Sequence, residues 1–230
     1  MQNGWKGAVK LRVNADAMTL YAVTDRTWVE DTTLMDQVKE ALEGGITFLQ
    51  LREKHLSKEE FIKEAREMKE LSKEYKVPFV INDNIEVALA VDADGVHIGQ
   101  DDMSVEEARK LLGEDKIIGV SAHNVEEAIK AQKGGADYLG VGAVCATSTK
   151  KDANVVSKEE IKKICHTVEI PVVAIGGIKK ENIKTLEGTD VDGVAVVSAI
   201  FVQRTLKRYK TAEKPRRGDE AEIEQNTRSL

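Results

Sequence analysis

Eight short apolar runs rich in β-branched residues recur along this chain, and they constrain its fold more than any other feature. They cover residues 19–23, 47–51, 78–82, 95–98, 117–120, 137–141, 171–175 and 193–197. Near-continuous apolar runs of this length suit strands buried on both faces, as in a parallel sheet. Between them lie segments of helical spacing, such as Phe61, Ala65, Met68 and Leu71, or Val105, Ala108 and Leu112. Ser57-x-x-Glu60, Ser104-x-x-Glu107 and Ser157-x-x-Glu160 have the form of capping boxes, in which the Ser oxygen takes a backbone N–H and the Glu reaches back. Asn124-x-x-Glu127 is a looser version. Gly44-Gly45, Gly113 and Gly134-Gly135 stand where helices end and a left-handed residue is wanted.

Repeating βα units imply a parallel sheet with right-handed crossovers. A weak internal repeat points the same way: Asp94-Gly95-Val96, Asp137-Tyr138-Leu139-Gly140 and Asp192-Gly193-Val194 each follow a helix and open a strand. Eight units favour an α/β fold closed into a (β/α)8 TIM barrel. An open doubly wound sheet is the alternative, but no GxGxxG follows the first strand to support it. A chain of 230 residues suffices for one such domain, since the barrel needs roughly 200–250. The expected organisation is an N-terminal extension over 1–18, the barrel over 19–209 and a charged tail over 210–230. Residues 203–230 read as a frayed last helix and a disordered tail, because a basic stretch from Arg204 to Arg217 runs into an acidic one with few apolar residues.

A net charge of −6 and 4% aromatics argue against a nucleic-acid partner, which would want a basic face with stacking rings. No apolar run reaches the roughly 20 residues of a membrane span, and the first residues carry no signal-peptide pattern; a cytoplasmic location is expected. Cys145 and Cys165 make neither a CxxC pair nor a disulfide framework and read as reduced structural thiols.

In this fold the chemistry lies at the C-terminal strand ends. Strand 2 ends in Gln50-Leu51-Arg52-Glu53-Lys54. Alternation puts Gln50, Arg52 and Lys54 on one side, where a guanidinium fork, a point charge and an amide suit a phosphate or diphosphate. The competing reading is ion pairing with Glu53 and Glu59. Strand 3 ends in Asn82-Asp83, and the neighbouring strand 4 leads into Gln100-Asp101-Asp102. Asp83 and either Asp101 or Asp102 could meet across adjacent loops, and Mg²⁺ is held by one or two carboxylates plus substrate phosphates. Helix capping and a solvated turn are the alternatives. Strand 5 delivers Ser121 and His123; a lone His after a strand is more often structural, and the same holds for His55, His97 and His166. Strand 6 leads into Thr147-Ser148-Thr149-Lys150, a rich donor set. Gly176-Gly177 after strand 7 and Ser198 after strand 8 occupy the recurrent phosphate position of this barrel, with tight packing and plain capping as the competing explanations.

Taken in order, these motifs resemble the thiamine-phosphate synthase (thiamine-phosphate pyrophosphorylase) family. Leu20 to Asp25, Gln50 to Lys54, Ile81-Asn82-Asp83, Gly95 to Asp102, Gly119 to His123, Thr-x-Thr-Lys at 147–150, Ala174 to Ile178 and Gly193 to Ile200 all stand in register, over about residues 19–201. The resemblance implies the joining of 4-amino-5-hydroxymethyl-2-methylpyrimidine diphosphate to 4-methyl-5-(2-phosphooxyethyl)thiazole, with release of diphosphate. It implies that Gln50, Leu51, Arg52, Glu53, Lys54, Asn82 and Lys150 hold the diphosphate and that Ser121 lies near the pyrimidine. Asp83 and Asp102 would bind Mg²⁺, and the resemblance selects Asp102 where spacing could not. Thr147, Ser148, Thr149, Gly177, Val197 and Ser198 would take the thiazole phosphate. Arg52, Lys54, Lys150 and Ser121 are the residues expected to act on the reaction. Ala143 and Cys145 stand where the family commonly has Pro and an aromatic, and the tail after Phe201 does not look like the family's closing helix. A thiazole tautomerase on the same fold and a non-catalytic thiamine-phosphate binding protein are the rival expectations. The retained charged set argues against both.

Overall fold

In a computed structural model, which describes residues 12–29, 32–146 and 155–201, the apolar runs become eight parallel strands. These are β1 (Leu20–Val23), β2 (Phe48–Leu51), β3 (Phe79–Asn82), β4 (Gly95–Ile98), β5 (Ile117–Ala122), β6 (Tyr138–Val141), β7 (Val172–Ile175) and β8 (Gly193–Val196). Each pairs with the next, and β8 returns to β1 with Leu20 opposite Val194, so the sheet closes into a barrel. The helices between them are α1 (Leu34–Glu43), α2 (Lys58–Glu74), α3 (Ile85–Ala90), α4 (Val105–Leu112), α5 (Val125–Gly134) and α6 (Lys158–Thr167), with α7 (Ser198–Phe201) after β8. A 3₁₀ turn, Ile183–Leu186, takes the helix place between β7 and β8. The fold is the expected (β/α)8 TIM barrel.

The caps act as their sequences require. Ser57 and Glu60 at α2, and Ser104 and Glu107 at α4, form reciprocal capping boxes. Thr33 and Asp36 form a third at α1 that the Ser-x-x-Glu pattern did not find. At α6 only half a box forms. Ser157 accepts the Glu160 N–H, but the Glu160 carboxylate turns to the Val125 N–H of α5. The frayed last helix and the tail over 210–230 lie outside the described residues.

Strand alternation sorts side chains into two cores. Outward residues such as Leu49, Leu51, Ile81, Val96, Ile118 and Leu139 pack under the helices, with Val38, Met68 and Ile164. Inward residues form a separate cluster of Tyr21, Val23, Phe48, Val80, Ile117, Tyr138, Val173 and Ala195. Val13 and Met18, from the stretch expected as an extension, belong to this inner cluster and close the barrel floor. Two inward glycines make room for the large rings. A Cβ on Gly119 would lie 2.1 Å from the Tyr138 ring, and one on Gly140 would lie 3.1 Å from His97.

The weak repeat seen in the sequence has a structural meaning. The residue before each even strand clamps the start of the preceding odd strand twice. Asp94 donates its N–H to the Phe79 carbonyl and accepts the Phe79 N–H on Oδ2 at 2.8 Å. Asp137 does the same with Ile118 and Asp192 with Val172, again at 2.8 Å. Thr47 is the fourth member, using Oγ1 on the Leu20 N–H at 2.9 Å. A hydroxyl replaces the carboxylate there, so the repeat showed only three copies in sequence. Asp137, 2% exposed, is also gripped by Arg12 at 2.8 Å and Arg109 at 2.6 Å.

Removing one partner of a buried ion network leaves uncompensated charge, at about 3–5 kcal/mol. Asp137→Ala is therefore expected to lower unfolding stability by about that much. Asp192→Asn, which keeps an acceptor oxygen, is expected to cost under about 1.5 kcal/mol. Urea titration of both variants checks the order, and equal losses would refute it.

Candidate active site

The C-terminal rim collects side chains from every strand whose chain leaves the barrel inward. Beyond β2, the alternation assigns opposite fates to adjacent residues. Gln50 points inward and is 4% exposed, while Leu51 is sealed in the outer core. Arg52 is half-buried, and its guanidinium has no hydrogen-bond or ionic partner among the described residues. Its backbone is held by the buried Thr24 hydroxyl at 2.9 Å. Glu53 faces away and is taken by Arg26 at 2.9 Å, an arginine that also bridges to Glu64. Leu51 and Glu53 are thus not among the side chains that converge at the rim. The alternative in which Glu53 neutralises Arg52 is also removed.

Lys54, half-exposed, reaches across to β3, where its Nζ lies 3.1 Å from Asp83 Oδ2. The buried Asn82 donates its amide to the same oxygen. Asp83 sits at φ 60°, in the left-handed region, where an Asp is tolerated better than most residues. It is not the helix cap: Asn84 fills that role by accepting the Val87 N–H. Its carboxylate is therefore not spent on capping and faces Lys54, Asn82 and Asp102 at the rim. Burial pushes the Asp83 pKa up, and the facing Asp102 carboxylate, within hydrogen-bonding reach, pushes it further; Lys54 only partly offsets this. Asp102 is steadied by the Gly99 N–H at 2.7 Å. The pre-helix cap is Ser104, and Asp101 is exposed. Asp102 is exposed as well, and of the two it is Asp102 whose carboxylate faces Asp83.

On the far side, β5 runs two residues beyond its expected end and carries Ser121 onto the barrel wall. Ser121 Oγ lies 3.1 Å from His97 Nε2, and Gln100 donates to the Ser121 carbonyl at 2.6 Å. His123 is bound to Glu127 at 2.8 Å, which fits its structural reading. After β7, Gly176 and Gly177 both take positive φ, 98° and 69°. A Cβ on Gly177 would lie 2.6 Å from the Ala146 carbonyl, so packing between the two loops demands glycine there. Asn182 fastens the same junction, donating to the Gly177 carbonyl at 2.8 Å and to Cys145 Sγ at 3.5 Å. Val197 packs on the inner cluster, and Ser198 opens α7. Thr147, Ser148, Thr149 and Lys150 lie outside the described residues; the base of their loop is closed by the Val156 N–H on the Ala143 carbonyl at 2.8 Å. Sequence reasoning missed Tyr21 and Tyr138, inward tyrosines under the site, and it missed Asn182. Their one available signal was a hydroxyl or amide at an inward or post-strand position.

A (β/α)8 barrel that gathers a guanidinium unpaired among the described residues, a lysine and two facing carboxylates at the C-terminal ends of its strands is built as an enzyme, because active sites of this fold sit at that rim. The chain belongs to the thiamine monophosphate synthase family, whose model matches residues 20–200. It is 52% identical over 188 residues to a thiamine-phosphate synthase of Clostridium acetobutylicum, covering 82% of this chain and 89% of that protein. A thiamine-phosphate synthase of Methanobrevibacter smithii is 50% identical over 190 residues, covering 83% and 90%. Among solved structures, a thiamine phosphate pyrophosphorylase of Pyrococcus furiosus superposes with a TM-score of 0.77 at 42% identity, covering 84% of this chain and 92% of the other. No helix among the described residues is long and apolar enough to cross a membrane.

A carboxyl whose folded pKa is raised holds its proton more tightly in the native state. Ionised Asp83 therefore costs stability above that folded pKa, and the cost is absent below the unfolded value. Asp83→Asn is expected to raise the thermal midpoint at pH 7 in excess chelator. The gain should shrink towards zero as pH falls through the carboxylate range. A lower midpoint at pH 7 would contradict the burial and repulsion read at this pair.

Proposed function

We propose that this chain joins 4-amino-5-hydroxymethyl-2-methylpyrimidine diphosphate to 4-methyl-5-(2-phosphooxyethyl)thiazole, releasing diphosphate. The observation that carries this reading is the half-buried Arg52 fork with no partner among the described residues, set beside Lys54 in a member of this family. A half-buried guanidinium with no such partner suits a bidentate anion. Gln50 and Asn82 supply amide donors along the same wall, and Lys150 would add a second lysine from the loop after β6. Ser121 would face the pyrimidine. Gly177, Val197 and Ser198, with Thr147, Ser148 and Thr149, would take the thiazole phosphate.

The donor set also fits a magnesium ion. Two carboxylates in mutual reach, Asp83 and Asp102, repel one another without a cation between them, and Mg²⁺ prefers one or two carboxylates completed by water and substrate phosphate. When bound there, Mg²⁺ supplies electrostatic stabilisation to the diphosphate oxygens.

The chemistry needs no protein nucleophile. As the C–O bond to the pyrimidine methylene breaks, its electron pair leaves with the diphosphate. The electron-rich ring spreads the resulting positive charge. Arg52 and Lys54 stabilise the charge growing on the leaving group, which is electrostatic catalysis by groups already in place. The thiazole nitrogen, held by its phosphate over strands 7 and 8, then donates its lone pair to the methylene. Positioning of the two substrates accounts for the rest of the rate. A thiazole tautomerase would handle only the thiazole phosphate and has no use for the Arg52, Lys54, Asp83 and Asp102 set, so that alternative is disfavoured.

The deciding experiment is formation of thiamine phosphate from the two substrates, with and without Mg²⁺. Turnover is expected only with the metal. Turnover surviving thorough chelation would sink the metal assignment, and none in either condition would sink the reaction. In the same assay Asp102→Asn is expected to lose about a hundredfold or more in kcat, while Asp101→Asn stays within a few-fold; equal losses would show that the wrong aspartate had been chosen.

A further inference from the structure

Under the rim, five polar side chains from five strands make one unbranched hydrogen-bonded chain through the barrel. Gln50 Nε2 donates to Tyr21 Oη at 2.7 Å. Tyr21 Oη and Tyr138 Oη lie 2.7 Å apart. Tyr138 Oη is 3.0 Å from His97 Nδ1, and His97 Nε2 is 3.1 Å from Ser121 Oγ. Tyr21, Tyr138 and His97 are 2%, 0% and 8% exposed. The rings are locked by edge contacts among Tyr21, Phe48 and Tyr138, with His97 tilted against Tyr138. Among the described residues neither tyrosine hydroxyl has a hydrogen-bond partner outside the chain.

With the Gln50 amide nitrogen on Tyr21, that isolation fixes the direction of every bond. Each phenol has one hydrogen. Gln50 gives its N–H to Tyr21, so the Tyr21 hydrogen has one place to go, the Tyr138 oxygen. The Tyr138 hydrogen must then go to His97 Nδ1, which is therefore bare. The imidazole hydrogen sits on Nε2 and points at Ser121 Oγ. One hydrogen is left over, that of the Ser121 hydroxyl, and it lies at the upper end of the chain in the site. The alternatives fail at the other end. If Nδ1 carries a hydrogen, in the other neutral tautomer or in the imidazolium, Tyr138 must turn its own hydrogen to Tyr21. The Tyr21 hydrogen is then stranded in the core with no acceptor, a costly state for a buried polar group. A reversed chain needs the Gln50 amide turned over, and it spends the Ser121 hydrogen on His97.

We infer that His97 is a positioning residue which, through its Nε2–H, holds Ser121 as a hydrogen-bond donor towards the substrate. The ligand chemistry this selects is an uncharged acceptor with a lone pair in the plane of an aromatic ring, such as a pyrimidine ring nitrogen. This assignment rests on the proposed reaction for the identity of the ligand, but the direction of the chain does not. The arrangement also links Gln50 to Ser121, so that the wall facing the diphosphate and the wall facing the ring are set by one network.

Nitrogen-15 NMR of the full chain tests the direction without any assay. The His97 signals, assigned by their loss in His97→Asn, are expected to show Nδ1 as an unprotonated, pyridine-type nitrogen and Nε2 as a protonated, pyrrole-type one. A protonated Nδ1 overturns the proposal. Tyr138→Phe is expected to blur this pattern by removing the donor to Nδ1, and to lower kcat/KM for thiamine-phosphate formation about tenfold. In a Ser121→Ala background the same change should cost little more, because its effect passes through that hydroxyl. Fully additive losses would mean that the tyrosine serves the fold alone, and would overturn the proposal. Absence of turnover in the unaltered protein would sink the reaction, and the NMR pattern would still decide the chain.

Discussion

A barrel whose strands run only four to six residues stands only if its ladder closes, and closure is the constraint on which the rest of this molecule depends. Each strand offers few backbone bonds, so the stagger between neighbours must be held by something besides the ladder. Thr47, Asp94, Asp137 and Asp192 do this by taking both backbone groups of a residue at the start of the preceding odd strand, its first residue or, in β5, its second. Four clamps at the same place in four βαβ units fix the shear at the floor of the barrel. With the floor fixed, period-two alternation decides which residues look inward at the rim.

That alternation explains why adjacent residues have unrelated roles. Leu51 and Glu53 are consumed by the helix layer, one by apolar packing and the other by Arg26. Gln50 and Arg52 look inward and upward. The same rule fills the barrel below the site with Tyr21, Phe48, Tyr138 and His97, for which Gly119 and Gly140 leave the space. The interior is thus a plug of aromatic rings crossed by one line of hydrogen bonds. Burial holds His97 well below its ordinary pKa, at about 4, and pushes both tyrosines up. The line stays uncharged, as a buried polar network must if it is to avoid desolvation cost.

At the rim the charges are balanced differently. Arg12 and Arg109 on Asp137 form a closed structural network at the floor, whereas Arg52 has no counter-charge among the described residues and Asp83 faces a like charge. Uncompensated charge costs folding free energy, and proteins retain it where a ligand completes it. The two ends of the barrel therefore divide the work, with stability at the floor and recognition at the top, as the fold commonly does.

The sequence by itself determined the number of strands, their parallel order, the helix caps at Ser57 and Ser104 and the placing of the polar groups after strands 2, 3 and 4. Those features are local, written in period, spacing and capping chemistry. It also offered Asp83 as a cap and Glu53 as a partner of Arg52, readings removed by Asn84, the next residue, and by Arg26 from the loop after the adjacent β1. Only the tertiary structure decided that Asn84 caps α3, that Arg26 takes Glu53, and that Tyr21, Tyr138 and His97 join Gln50 to Ser121. The reason is geometric. Residues 21 and 138 are far apart in the chain, and a hydroxyl on an apolar strand says nothing of which strand it will meet until the barrel closes.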